Sequence, residues 1–108
     1  MDIERIVRQA EVLGLAAAAA CVPVAITVQG IVYEDGNCGS AYFEFDGRSH
    51  FGRWYGQTHR ESVGVRRRFY ANLGGYQSVD RRTAYLKAFR NHLMQHGISV
   101  GEVVQVLD

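Results

Sequence analysis

Residues 41–56 read AYFEFDGRSHFGRWYG, and the fold turns on them. Ala41, Phe43 and Phe45 alternate with Tyr42 and Glu44, the period-two pattern of a half-buried strand. Asp46-Gly47 is a two-residue hairpin signal of the kind that needs positive φ. Beyond it Phe51, Arg53 and Tyr55 alternate with His50, Gly52 and Trp54, so the pattern predicts a return strand. Upstream, Val24, Ile26, Val28, Ile31 and Val32 read as another strand, with Gly30 as a bulge. Asp35-Gly36 and Gly39 mark the turn between the two. Downstream, 56–63 reads as a loop. Val65, Arg67 and Phe69 then alternate with Arg66, Arg68 and Tyr70, which predicts a fourth strand over about 64–72.

Helical spacing flanks this meander. Ile3, Ile6, Val7, Ala10, Leu13, Gly14 and Ala17 predict an N-terminal helix, with Asp2 as its cap and Pro23 as its stop. Past Leu13 this helix is apolar on all sides, which predicts burial on more than one face. Ser78 or Asp80 can cap a second helix, whose apolar stripe is Val79, Thr83, Leu86, Phe89 and Leu93. Gly97 is placed to end it, with Ile98 packing behind. Ser99 and Glu102 fit a capping box, and Val100, Val103, Val104 and Leu107 have helical spacing. A short terminal helix is expected there, with a strand as the alternative. The expectation is one α+β domain over 1–108: an N-terminal helix, a four-stranded antiparallel sheet, then one long and one short C-terminal helix.

Charge is distributed unevenly. The formal net charge is only +1, yet residues 1–47 carry two arginines against seven carboxylates. Residues 48–90 carry ten basic side chains against Glu61 and Asp80. Such polarity suggests an anionic partner for the basic part. All basic residues except Lys87 are arginine, whose planar fork suits phosphate, carboxylate and aromatic partners. Cys21 and Cys38 fit no paired metal spacing, and reduced thiols are expected in a cytoplasmic protein. The apolar run from Val12 to Val22 is too short to span a membrane. Acidic Asp2, Glu4 and Glu11 argue against an export signal.

The segment 66–82, RRRFYANLGGYQSVDRR, holds the strongest functional signal. On a strand, Arg66, Arg68 and Tyr70 share one face while Phe69 turns to the core. Arg81 and Arg82 open the following helix, where their charge opposes the dipole and a bound anion would offset the cost. The loop NLGGYQSV is expected to bring Arg81 and Arg82 toward Arg66 and Arg68. Arg53, Arg60 and Trp54 flank the set. Basic rows with stacking rings suit nucleic acid. The competing reading is a solvated sheet face whose arginines pair with Glu34, Glu44 or Asp46.

Other constellations are weaker. His92 and His96 have metal-compatible spacing, but a third ligand would have to come from His50, His59 or Cys38. Cys38 in a glycine turn is a poor nucleophile candidate without a placed base. The leading expectation is a non-catalytic binding protein without a cofactor, docking nucleic acid or an acidic protein surface, with homodimerisation as an option. The alternative is a small inhibitor of a nucleoprotein machine, by analogy with phage-encoded antagonists of CRISPR or restriction complexes. A small Cys/His enzyme or metal protein ranks third.

Overall fold

The computed structural model describes residues 2–23, 25–33, 39–71, 73 and 78–107. It is α+β, in the order α1 (Ile3–Ala20), β1 (Ile26–Val28), β2 (Ile31–Tyr33), β3 (Gly39–Phe45), α2 (His50–His59), β4 (Arg67–Tyr70), α3 (Val79–Gln95) and β5 (Val104–Leu107).

The main departure from the sequence pattern lies just after Phe45. The residues expected to form a return strand are helix α2. Asp46-Gly47 does turn the chain, but the side chains around it cap a helix instead of closing a hairpin. Asp46 Oδ1 accepts from the Arg48 amide at 2.8 Å. Ser49 then serves as the N-cap, its Oγ accepting from the Gly52 amide at 3.0 Å. Once helical, Phe51, Trp54 and Tyr55 fall on one side and join the core. Phe51 is fully buried and meets Phe43, Phe45, Phe69 and Phe89 at ring-centroid distances of 4.9–6.2 Å. Burying such a ring stabilises the fold by about 1.5–3 kcal/mol. Alternation along FGRWY was therefore misleading: the spacing 51, 54, 55 fits a helix equally well, and the cap decides.

The expected four-stranded sheet becomes two separate sheets. β1 and β2 form a hairpin pairing Ile26 with Tyr33 and Val28 with Ile31. Gln29 and Gly30 both have positive φ, so they are a tight turn rather than a bulge. The other sheet has three strands in the order β4-β3-β5, all antiparallel. Its third strand is the segment expected to be a terminal helix. Val103, Val104 and Val106 favour a strand, and the free side of β3 offers a ladder that the capping box cannot match. Gly101 N–H donates to Glu44 O at 2.8 Å, and Arg90 Nε donates to Gly101 O at 2.7 Å, guiding the chain along β3.

Both long helices form where the sequence places them. Asp2 caps α1 through the Arg5 amide, and Ser78 caps α3 through the Arg81 amide. All five stripe residues of α3, Val79, Thr83, Leu86, Phe89 and Leu93, are buried. Gly97, at φ 76°, ends the helix: its amide bonds Met94 O while the Ile98 amide bonds Leu93 O. That is a Schellman cap, with Ile98 buried behind it. α2 and α3 cover one face of β3, and α1 packs chiefly along α3. Only one face of α1 is buried; Val12 is 66% and Leu15 55% exposed, contrary to the expectation of burial on more than one face. No helix among the described residues is long and apolar enough to cross a membrane.

Candidate functional site

β4 pairs with β3 and sends one ring into the core. Phe69 stacks on Phe43 at 5.1 Å and lies 5.0 Å from Phe89 and 5.4 Å from Phe51. With Phe69 turned inward, strand alternation sends Arg68 and Tyr70 to the opposite face. There Tyr70 sits across from Tyr42 at 5.5 Å, and the Arg68 guanidinium lies 4.3 Å above the Tyr42 ring. Tyr42 is only 8% exposed. A hydrogen bond with the Tyr70 side chain, followed by the influence of Tyr42, pushes the Arg68 pKa further up.

Glu44 bridges two arginines of this face, at 3.5 Å from Arg66 NH1 and 4.0 Å from Arg68 Nε. Of the three acidic partners considered from sequence, Glu44 is thus engaged. Asp46 pairs with Arg48 at 3.0 Å, and Glu34 lies outside the described residues. Arg66 and Arg68 side chains are 82% and 52% exposed, so solvent and salt screen both bridges and neither contributes much to stability. One carboxylate also cannot occupy the ten N–H donors of two guanidinium groups. The face stays cationic.

On the helix side of the strand, Arg67 NH2 bonds Glu61 Oε1 at 2.7 Å, and its guanidinium lies 5.4 Å from the Tyr55 ring centroid. Tyr55 stacks on His59 at 4.0 Å, and His59 Nδ1 is bonded to the Tyr55 carbonyl at 2.9 Å. These groups border a cleft of about 780 Å³. Its lining comprises Arg66 to Tyr70, Tyr55 and His59 of α2, Glu11 and Leu15 of α1, and Tyr85 of α3. Burial, then the nearby charge of Glu11, pushes the Tyr85 phenol up to about 12.

The remaining residues singled out from sequence lie elsewhere. Arg81 NH1 donates to Ala18 O at 2.7 Å, tying the start of α3 to the last turn of α1. Neither Arg81 nor Arg82 lines the cleft bordered by Arg66 and Arg68. Residues 74–77 of the connecting loop lie outside the described residues. Arg53 and Arg60 line a separate shallow concavity of about 430 Å³ with Gly52, Gly56 and Gln57. Trp54 is half-buried, 5.4 Å from Phe51. Tyr55 is half-buried too, so both rings of the segment expected to form a strand pack against the core from α2.

His92 and His96 have rings 4.6 Å apart, and His92 Nε2 is bonded to Gln9 Oε1 at 3.1 Å. Among the described residues no group of three or more His, Cys, Asp or Glu is placed to hold a metal ion, and Cys38 lies outside them.

Sequence reasoning missed Tyr42, Tyr55, His59, Glu11, Leu15 and Tyr85. The pairs Tyr55/His59 and Glu11/Leu15 are each four apart, a helical spacing that signals a shared face once α2 is read as a helix. No family model, curated protein or solved structure matches the chain.

Proposed function

We propose that this is a non-catalytic binding protein whose β4 surface docks an anionic partner. The observation that carries the reading is a row of two solvent-facing arginines, Arg66 and Arg68, bridged by Glu44, with Arg68 over the Tyr42 ring and Tyr70 beside it, bordering a cleft of about 780 Å³. A guanidinium held over a ring, as that of Arg68 is, keeps its donors aimed outward with little entropy left to lose on binding. Of the described titratable groups lining the cleft, Arg67 pairs with Glu61, His59 is bonded to the Tyr55 carbonyl and Tyr85 stays neutral, and the only carboxylate among them is Glu11. Arg53, Arg60, Arg81 and Arg82 contribute to the positive field and not to the contact itself. An inhibitor that occupies a site on a nucleoprotein complex would use the same surface.

The test is a titration of fluorescent oligonucleotides and acidic peptides at low and at physiological salt. Binding should weaken as salt rises. Arg66→Gln/Arg68→Gln should weaken it about tenfold, the loss expected for two solvent-exposed charge contacts. It should leave the thermal midpoint nearly unchanged. If no polyanion binds at low salt, the reading is wrong. It is also wrong if the double variant unfolds, since the arginines would then be structural.

A further inference from the structure

From the ladder of β4 we infer that the partner is an extended polypeptide segment, alternating acidic and apolar residues, that adds to β4 as a further antiparallel strand. The inference rests on the reading of the arginine surface as a docking site. Ala71 N–H points to Ala41 O at 3.5 Å, in register with the β3–β4 pairing. In an antiparallel pair, backbone groups alternate between the partner and the far side. Phe69 and Arg67 therefore face β3 with their amides and carbonyls, while those of Arg68 and Tyr70 face the outer edge. Among the described residues, no strand pairs with that edge.

The cleft follows the same edge. Its lining includes five consecutive residues, Arg66 to Tyr70, whose side chains lie on both faces of the strand. A cavity over one face would touch alternate residues only. An added strand would thus meet two different surfaces. On one side, residues opposite Arg68 and its neighbours meet Arg66, Arg68 and Tyr70, which calls for Glu or Asp. On the other, alternate residues meet the apolar surface of Tyr55, Leu15 and Tyr85 between Glu11 and Arg67, the latter paired with Glu61, and an uncharged apolar side chain suits that mixed surface. Main-chain bonds supply affinity and the alternating side chains supply selectivity, as in other cases of strand addition. Nucleic acid can answer the arginines, but it has no N–H ladder for the edge.

The probe is an acetylated, amidated heptapeptide alternating Glu and Val. Residues opposed across a hydrogen-bonded pair point their side chains to the same face. The Glu amides therefore bond to β4, and the Val amides point away. Methylating the Glu amides should weaken binding about tenfold or more, the loss of at least two backbone hydrogen bonds. Methylating the Val amides should change it by less than about threefold. Amide exchange at Arg68 and Tyr70 should slow when the unmethylated peptide binds.

Equal binding of the two methylated peptides would overturn strand addition. So would preferential binding of oligothymidylate without protection of those two amides. In either case a continued loss in Arg66→Gln/Arg68→Gln would leave the docking surface itself standing. Failure of every polyanion to bind would overturn both.

Discussion

Replacing Gly52 with alanine adds one methyl group at the start of α2, and the structure sets its cost. A Cβ at this position would lie 2.2 Å from Asp46 O, 2.5 Å from Gly47 Cα and 2.6 Å from Gly47 C. All three are backbone atoms of the turn that launches the helix, so no side-chain rotation relieves the clash. The turn is itself tied down, with Gly47 N–H bonded to Gly64 O at 3.1 Å. Overpacking of this kind costs about 1–3 kcal/mol. Displacing the Gly52 amide from Ser49 Oγ adds about 1 kcal/mol for the lost cap. The better helix propensity of alanine returns at most about 1 kcal/mol. The expected net loss is about 2 kcal/mol, or roughly 8–15 °C in thermal midpoint for a domain near 100 residues. Gly64→Ala is the control, since a Cβ there meets nothing within 4 Å and φ is not positive. Thermal and urea melts followed by circular dichroism measure both variants. A Gly52→Ala protein as stable as the wild type would refute the close approach of α2 to its own launching turn.

Gly14→Ala should also destabilise, by about 1 kcal/mol in urea melts, because its Cβ would sit 2.7 Å from the buried Tyr85 ring. A gain of stability, as propensity alone requires, would contradict the α1–α3 packing. Thr83 Oγ1 donates to Val79 O at 2.7 Å and accepts from Gln105 Nε2 at 2.8 Å. Thr83→Val should cost about 1–2 kcal/mol and speed amide exchange across β5, and unchanged exchange there would show that this bond does not hold the strand. Burial and then Glu11 raise the Tyr85 phenol to about 12 from 10.0, so the folded state keeps a proton that the unfolded chain releases earlier. Stability from this group is therefore full below pH 10 and lost between pH 10 and 12. Ultraviolet titration of the six tyrosines should show a last step that Tyr85→Phe removes; a wild type without a late step would argue against the buried phenol.

The parts legible in the sequence were those governed by a local rule that nothing else contests. The α3 stripe, the Gly97 cap and the inward turn of Phe69 all follow from periodicity and terminal chemistry, and all are present. The stretch 50–56 failed because two periods fitted it, and the tie was broken by Ser49, a single capping hydroxyl. The C-terminal segment failed for the opposite reason. Its local capping box was sound, but β3 had an unfilled side that only the assembled sheet reveals. At the candidate site, alternation placed Arg66, Arg68 and Tyr70 together on one face. What alternation could not show was which arginines neighbour one another in space: Arg81 went to the end of α1, and Arg53 and Arg60 to a different concavity.

The tie between Arg81 and Ala18 joins residues 63 positions apart, and the bond between His92 and Gln9 joins residues 83 apart. The Glu44–Arg66 bridge spans only 22. Closing the longer loops costs about 1 kcal/mol more chain entropy than closing the short one. The β3–α2–β4 unit can therefore assemble on its own terms, whereas the docking of α1 on α3 must wait for the rest of the chain. This architecture belongs with domains whose folding speed is limited by distant contacts, even though about two-thirds of its described regular structure is helix with good local caps.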